Sequence, residues 1–280
     1  MSEPSEIPLS GGTLNPVSRV GDTVRRAAGP WTPFVHDLLR HVRGRGFGLA
    51  PEPLGLDDAG REVLRYVPGD TVGWSLPWPD WIRSTELLES MGRATAAYHA
   101  AVADYRPAGA VPWRSGPRAL ADDEIVCHHD LAPYNVVATQ GRLLGIIDWD
   151  LAGPGTSLSD LAFVAWQWVP LHGPGVSAAM GWSRPDRAGR LIRLLDAYGL
   201  VQRAGFVEAV MARIGLNRAI MLERAESGDQ AYRALVESGH ISGMDQALSF
   251  LEVDGPALQA VLDGAARRDG SAGRDGSAGP

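Results

Sequence analysis

The sequence contains no lysine, so all 26 of its basic residues are arginine. Any task that a lysine ammonium group performs in other proteins must fall here to a guanidinium group, which is planar and always charged. The single cysteine, Cys127, excludes an internal disulfide bond, and we therefore expect the reducing cytoplasm as the location. No apolar run reaches the roughly 18 residues that span a bilayer, so we expect neither a membrane anchor nor a signal peptide.

The net charge limits the classes of molecule that the chain is expected to bind. The formal net charge is −7 at pH 7, which argues against nucleic acid as the main partner. It is compatible with a small molecule, including a cationic one. A chain of 280 residues with 45% hydrophobic residues is long enough for two lobes with a cleft between them.

Strand and helix patterns follow one another in the first hundred residues. Residues typical of strands flank Gly21–Asp22 and predict a hairpin, and short strands are expected on both sides of Ala59–Gly60. Apolar residues at helical spacing predict one helix within residues 31–47 and a second from Thr85 to about Val102.

The middle of the chain predicts strands and the remainder predicts helices. Short strands are expected at 124–127, 136–139 and 143–149, and the last two are joined by a turn at Gln140–Gly141. Beyond Asp160, apolar stripes at helical spacing predict further helices, one of which is expected to end at Gly199. The hexapeptide RDGSAG occurs twice in succession near the C-terminus, and this composition predicts a disordered tail over 265–280.

The stretch VCHHDLAPYN, Val126–Asn135, holds the densest group of chemically active side chains. A zinc site is disfavoured because consecutive residues of an extended segment point to opposite sides and no second cysteine exists. Cys127 as a nucleophile is also disfavoured, since no oxyanion-hole motif lies nearby and a lone cysteine that ends an apolar strand is usually a small core residue.

A third interpretation uses a longer pattern. Asn135 follows Asp130 by five residues, and the acids of IDWD, Asp148 and Asp150, follow after the turn at Gln140–Gly141. The hairpin should bring Asp148 beside Asn135. Carboxylate and amide oxygens are the ligands that suit Mg²⁺, and a further carboxylate can accept the proton of an attacking hydroxyl. These are the components of a phosphoryl-transfer site.

HHDLAPYN followed by IDWD resembles the motifs of the aminoglycoside phosphotransferase and choline kinase-like family, which is related to the protein kinases. The resemblance covers roughly residues 10–250. It implies that Asp130 is the catalytic base, or the group that orients the substrate hydroxyl. It further implies that Asn135 and Asp148 hold Mg²⁺ on the phosphates of ATP, with Asp150 as a further acid at the metal or on the substrate side. It also implies architectural roles for His128 and Asp160, while His129 is expected to be incidental.

The same resemblance assigns the nucleotide-binding parts of the N-terminal lobe. Gly11 and Gly12 lie in a segment similar to the family's glycine-containing loop over the phosphates. Either Arg25 or Arg26 replaces the cation that grips the phosphates, and Tyr66–Val67 resembles the hinge that binds adenine. The next helix lacks the glutamate that usually pairs with that cation, and the nearest substitutes are His36 and Asp37.

The sequence leaves the acceptor side open. Trp166, Trp168 and Trp182 could stack on a substrate or lie in the core. Three acids of the C-terminal helices could meet ammonium groups or form a solvated face with interleaved arginines; the acids are Glu208, Glu223 and Glu226, and the arginines are Arg213, Arg218 and Arg224.

We therefore expect an α+β, bilobal, protein-kinase-like fold. A small β-rich ATP-lid lobe would span 1–68, a larger and mostly helical lobe 69–264, and the tail 265–280. The expected activity is ATP- and Mg²⁺-dependent transfer of the γ-phosphate to a hydroxyl of a small molecule. A non-catalytic nucleotide-binding module and a metal-dependent phosphohydrolase are the alternatives.

Overall fold

The computed structural model describes residues 5–9, 17–73 and 76–272. Its strands are β1 (Glu6–Leu9), β2 (Val17–Val20), β3 (Thr23–Ala27), β4 (Pro53–Leu56), β5 (Arg61–Arg65), β6 (Val111–Trp113), β7 (Gly116–Arg118), β8 (Ile125–Cys127), β9 (Val136–Thr139), β10 (Arg142–Ile146) and β11 (Gly153–Gly155). Its helices are α1 (Thr32–Gly44), α2 (Thr85–Val102), α3 (Ser157–Trp168), α4 (Pro174–Ala179), α5 (Arg187–Tyr198), α6 (Phe206–Glu226), α7 (Gln230–Glu237) and α8 (His240–Ala272). Strands therefore dominate the N-terminal part and helices the C-terminal part, which confirms the predicted fold class.

The N-terminal lobe is an antiparallel sheet with the strand order β1-β2-β3-β5-β4, accompanied by α1. The predicted hairpin at Gly21–Asp22 joins β2 to β3, and Arg26 of β3 lies directly opposite Glu62 of β5. The predicted apolar residues of α1 are all buried: Val35, Leu38, Leu39 and Val42. Because residues on one face of a strand alternate along the chain, this register decides which side chains reach the cleft.

The segment after β5 links the two lobes and is hydrogen-bonded to the C-terminal lobe. Asp70 and Ala138 exchange two backbone hydrogen bonds, with N–O distances of 2.7 and 2.9 Å. Gly69 has a φ of 149°, and a β-carbon there would lie 2.7 Å from a side-chain carbon of Val137. The linker therefore passes too close to β9 for a side chain at this position. The division of the chain at residue 68 remains a proposal.

The C-terminal lobe is a packed set of helices around the β8–β11 region. Helix α2 packs on α5, and α6 packs on α3 and α8. The apolar face predicted for α2 is buried throughout: Leu87, Met91, Ala94 and Tyr98. Gly199 ends α5 in the left-handed conformation at φ 86°, as the sequence pattern indicated.

The segment 265–280, which the sequence predicts to be a disordered tail, begins within a helix. Helix α8 continues to Ala272, eight residues into the segment 265–280. Leu262 is fully buried and Ala265 is 7% exposed, so apolar packing anchors the helix up to the point where the repeat begins. Residues 273–280 lie outside the described part of the chain. Within the described part, no helix is long and apolar enough to cross a membrane.

Candidate active site

The backbone around Asp130 brings together residues that are distant in sequence. Strand β8 pairs with β11, and the loop that follows β8 leads through a short 3-10 helix, Pro133–Asn135, into the β9–β10 hairpin. The backbone N–H of Ile147 donates to the carbonyl oxygen of Asn135 at 2.9 Å. This bond places Asp148 next to Asn135, as the sequence pattern predicted.

Asp130 is partly buried and accepts two side-chain hydrogen bonds. The hydroxyl of Tyr134 donates to Oδ1 at 2.9 Å, and Nδ2 of Asn135 donates to Oδ2 at 2.7 Å. Burial and the charge of Asp148 raise the pKa of Asp130 to about 7, although the two hydrogen bonds act in the opposite direction. A carboxyl group that titrates near neutral pH is suited to accept a proton from a hydroxyl.

Asp148 and Asp150 meet a guanidinium group of the other lobe. Arg26 donates from Nη1 to Oδ1 of Asp148 at 2.8 Å and from Nη2 to Oδ1 of Asp150 at 2.5 Å. Asp148 has a φ of 59°, which is uncommon for a residue with a side chain and turns its carboxylate toward the cleft. The side chain of Asp148 is 50% exposed, whereas that of Asp150 is 7% exposed.

Asp150, expected as a further metal ligand, has both carboxylate oxygens engaged. Arg26 binds Oδ1, and Nη1 of Arg114 donates to Oδ2 at 2.9 Å. Arg114 lies in the turn between β6 and β7, a hairpin that the sequence did not predict. Its guanidinium carbon also lies 5.1 Å above the ring of Trp31. A single carboxylate therefore connects the N-terminal lobe, the C-terminal lobe and the β6–β7 turn.

The partner of Arg26 within its own lobe is Glu62 of β5. Nε of Arg26 donates to Oε2 of Glu62, and His36 of α1 lies 2.9 Å from Oε1. Asp37 does not act as the substitute for the helix glutamate, because its carboxylate accepts a hydrogen bond from the hydroxyl of Tyr105 at 2.9 Å. Glu62 was not predicted from the sequence as this partner, because the usual acid is expected on the helix and Glu62 lies on a strand. The sequence feature that marks Glu62 is its position as an acid directly before the apolar pair Val63–Leu64 of a strand.

Asp160 braces the loop that carries Asp130, in agreement with the expected structural role. Its fully buried carboxylate accepts hydrogen bonds from the backbone N–H groups of His128 and His129 at 3.1 and 2.9 Å. Nε2 of His99, on α2, lies 3.2 Å from Oδ2. Burial alone would raise the pKa of Asp160, but the hydrogen bond from His99 and the charge of His99 lower it. The carboxylate thus joins α2, α3 and the loop.

The two histidines of the loop serve the backbone. Nε2 of His128 lies 3.2 Å from the carbonyl oxygen of Ile147, and the backbone N–H of Asp130 donates to its Nδ1 at 3.3 Å. Burial lowers the pKa of His128, so one neutral tautomer satisfies both contacts. His129 has a φ of 67° and accepts a hydrogen bond on its carbonyl oxygen from Arg213 at 2.9 Å. His129 is therefore part of the loop's support rather than incidental.

Cys127, His129 and Asp160 bring one potential metal-ligand atom each within 4.8 Å of one another. The oxygens of Asp160 already accept the hydrogen bonds described above, and Sγ of Cys127 donates to the carbonyl oxygen of Thr156 at 3.4 Å. Burial raises the pKa of the Cys127 thiol, which disfavours the thiolate that zinc requires. The group is consistent with a packed loop support.

The residues expected to hold the nucleotide differ in whether the structure describes them and in which groups they contact. Gly11 and Gly12 lie outside the described residues. Arg25 points away from the cleft and binds Asp57 at 3.2 Å, so Arg26 is the arginine of the pair that faces the carboxylates. The backbone N–H of Tyr66 donates to the carbonyl oxygen of Asp22 at 2.8 Å. Within the described residues, the backbone N–H of Val67 makes no hydrogen bond to another backbone group.

The side chains expected on the acceptor side divide between core and surface. Trp166 and Trp168 are buried, and the indole N–H of Trp168 donates to the carbonyl oxygen of Leu131 at 2.8 Å. Trp182 is half-buried beneath the guanidinium group of Arg190 at 4.5 Å. The three C-terminal acids are exposed, as the solvated-face interpretation predicted: Glu208, Glu223 and Glu226. Arg213 is buried at 4% exposure and so does not belong to that face.

Known proteins match this chain in sequence and in fold. The model of the phosphotransferase enzyme family matches residues 110–206. The trifolitoxin immunity protein of Rhizobium leguminosarum bv. trifolii is 35% identical over 213 residues, which cover 74% of this chain and 79% of that protein.

Two solved structures share the fold. A choline/ethanolamine kinase family protein from Mesorhizobium loti has a TM-score of 0.55 at 19% identity, with 92% of each chain covered. Amicoumacin kinase hAmiN, solved with AMP-PNP, Ca²⁺ and Ami, has a TM-score of 0.57 at 15% identity over 83% of this chain and 88% of its own. The chain belongs to the aminoglycoside phosphotransferase and choline kinase-like family, with its protein-kinase-like fold.

Proposed function

We propose that the protein is an ATP- and Mg²⁺-dependent phosphotransferase that moves the γ-phosphate to a hydroxyl group of a small molecule. The observation that carries the proposal is the convergence of Asp130, Asn135 and Asp148 opposite Arg26. Phosphoryl transfer needs positioning and charge stabilisation rather than covalent chemistry, and this set supplies a base, metal-binding oxygens and a phosphate-binding cation. The solved relative with AMP-PNP and Ca²⁺ supports a nucleotide and a divalent cation at such a site.

The donor set fits Mg²⁺. Asp148 and the amide oxygen of Asn135 are hard oxygen ligands, and Nδ2, not the oxygen, makes the hydrogen bond of Asn135 to Asp130. Carboxylates outnumber guanidinium groups here, since Asp148, Asp150 and Glu62 contact Arg26 and Arg114. A bound divalent cation would supply charge neutralisation at the phosphates. Asn135 and Asp148 would hold it, and Asp150 would keep Arg114 in place.

Each remaining group has a task that follows from its position. Asp130 would accept the proton of the acceptor hydroxyl, held in orientation by Tyr134 and Asn135. Arg26 would exchange its contacts with Asp148 and Asp150 for contacts with the nucleotide phosphates, because a guanidinium group binds phosphate through paired N–H donors. Val67 would offer its backbone N–H to adenine.

The acceptor that we propose is a toxin or an antibiotic. The relative that is 35% identical is an immunity protein against a toxin, and amicoumacin kinase shares the fold. Phosphorylation of one hydroxyl adds negative charge and bulk, which can abolish the binding of a toxin to its target.

The test is a γ-phosphate transfer screen with purified protein, Mg²⁺ and labelled ATP against toxins, aminoglycosides, macrolides, choline, homoserine and sugars. Asp130→Asn serves as the matched control because it keeps the shape of the side chain and removes the base. We expect transfer that is lost on chelation of Mg²⁺ and reduced at least about a hundredfold in Asp130→Asn. Full activity of Asp130→Asn on the acceptor that is found would contradict the assignment.

Two alternatives are separated by the same assay. A non-catalytic nucleotide-binding module would bind Mg–ATP but label no acceptor, and the absence of an acid on α1 at the usual place was its main support. Glu62 supplies an acid to Arg26 from another strand, so this support is weakened. A phosphohydrolase would release inorganic phosphate at the same rate with or without an acceptor.

A further inference from the structure

The environment of Arg26 differs from the family pattern in the element that supplies its acid. The register of β3 and β5 sets Arg26 directly opposite Glu62, so both side chains project from the same face of the sheet. Nε of Arg26 donates to Oε2 of Glu62 while both Nη atoms point at the C-terminal lobe. Glu62 therefore fixes the inner edge of the guanidinium group and leaves its outer edge for the cleft.

Burial makes this pair obligatory. Glu62 is 1% exposed, and a carboxylate removed from water to that extent must be paired and hydrogen-bonded. Burial alone would raise the pKa of Glu62, but the hydrogen bond of His36 and the charge of Arg26 outweigh it and lower the pKa. Both of its oxygens are used, one by each neighbour.

His36 occupies the place on α1 from which an acid would otherwise contact the cation. Its ring nitrogen lies 2.9 Å from Glu62, so the helix is connected to Arg26 through the strand carboxylate rather than directly. Helix α1 spans Thr32–Gly44 and contains a single acid, Asp37, which binds Tyr105. No acid of α1 itself contacts Arg26.

We propose that Glu62 is the positioning residue for the phosphate-binding Arg26, and that His36 transmits the position of α1 to it. This inference rests on the proposed function, because it assigns Arg26 to the nucleotide phosphates. In a protein without lysine, the use of arginine as the phosphate-binding cation and the supply of its acid from a strand belong together. A guanidinium group has a third donor, Nε, which can be given to the acid while both Nη groups stay available for phosphate.

The test compares Glu62→Gln with Asp37→Asn, the same carboxylate-to-amide change at the acid of α1. Binding of a non-hydrolysable ATP analogue with Mg²⁺ is measured by titration calorimetry, and the KM for ATP and kcat are measured separately on the acceptor from the screen. We expect Glu62→Gln to weaken nucleotide binding and to raise KM for ATP about tenfold or more, because the charge-assisted bond to Arg26 is lost. Asp37→Asn should leave both quantities within about twofold of the wild type.

A second pair of variants guards against simple loss of the fold. His36→Gln keeps a side-chain N–H donor toward Glu62, whereas His36→Leu removes it. We expect His36→Gln to bind the nucleotide nearly as the wild type does and His36→Leu to bind it more weakly. The thermal unfolding of each variant is measured alongside, so that loss of the fold can be recognised. Wild-type affinity in Glu62→Gln, or equal affinities in His36→Gln and His36→Leu, would overturn the proposal. A wild-type protein that binds no Mg–ATP would instead overturn the proposed function.

Discussion

At the scale of single residues, two adjacent arginines of β3 have opposite surroundings. Arg26 is 11% exposed and faces the cleft carboxylates, while Arg25 is 29% exposed and binds Asp57 on the outer face. We predict that Arg26→Gln weakens the binding of Mg–ATP about tenfold or more, because its paired donors are lost. Arg25→Gln, one residue away, should leave the affinity within about twofold. Titration calorimetry checks both, and similar affinities for the two variants would contradict the assignment.

Asp130 makes stability depend on pH in a defined direction. Its ordinary pKa is 3.8, and burial with the charge of Asp148 raises it to about 7 in the folded protein. The folded state therefore holds this proton more tightly than the unfolded chain does, and ionisation of Asp130 costs stability as the pH rises from about 4 to about 7.

We predict that the difference in unfolding free energy between Asp130→Asn and the wild type shifts by about 1–3 kcal/mol in favour of the variant across that range. Urea unfolding in the presence of a chelator at several pH values measures it. The variant also loses a hydrogen bond, but this loss is the same at every pH and does not change how the difference in unfolding free energy depends on pH. A difference that stays flat with pH would show that Asp130 titrates near its ordinary value.

Residue-level placement could be predicted where the contacts are local in sequence. Asp130 and Asn135 are five residues apart, and one hairpin brings Asp148 to them, so a motif was sufficient to group them. The choice between Arg25 and Arg26 and the role of Glu62 depend on strand register, which joins residues 36 positions apart. A register is set by the packing of the whole sheet and cannot be obtained from spacing alone.

At the scale of elements, α2 and α5 pack closely at a glycine. A β-carbon on Gly92 would lie 2.7 Å from the carbonyl oxygen of Leu194 and 2.8 Å from the β-carbon of Ala197. We predict that Gly92→Ala lowers the unfolding free energy by about 1–3 kcal/mol, because the overlap outweighs the gain in helix propensity.

Gly215 of α6 is the matched control for this change. It is also a helical glycine, and a β-carbon there meets no atom within 4 Å. Gly215→Ala should therefore leave the stability unchanged or raise it by up to about 1 kcal/mol. Thermal unfolding of the two variants is the measurement, and a stabilising Gly92→Ala would contradict the close packing of α2 on α5.

The regular elements were predicted where a periodic pattern exists. The helix expected from Thr85 to Val102 and the stripe that ends at Gly199 are present because their apolar faces repeat at helical spacing. The short strand β11, with the sequence GPG, carries no such pattern, since glycine and proline are depleted in strands. Its pairing with β8 is imposed by the surrounding fold. The same holds for the β6–β7 turn that carries Arg114.

At the scale of the whole molecule, the two lobes share one apolar core and also meet through charged groups at the cleft. Arg26 of one lobe contacts Asp148 and Asp150 of the other, and Arg114 joins from the β6–β7 turn. The two-lobed fold follows from the order of strands and helices in the sequence, whereas this bridge required the structure. A nucleotide with its metal would take over these contacts and would stabilise the folded state in proportion to its binding.

The most direct test of the central claim is the Mg²⁺-dependent binding of a non-hydrolysable ATP analogue, measured by calorimetry on the wild type, Asp148→Asn and Asp130→Asn. It does not require a known acceptor. We predict binding that needs Mg²⁺, is lost in Asp148→Asn and is retained in Asp130→Asn, because Asp148 would hold the metal and Asp130 would face the acceptor. Binding that is equal in all three proteins and indifferent to a chelator would contradict it.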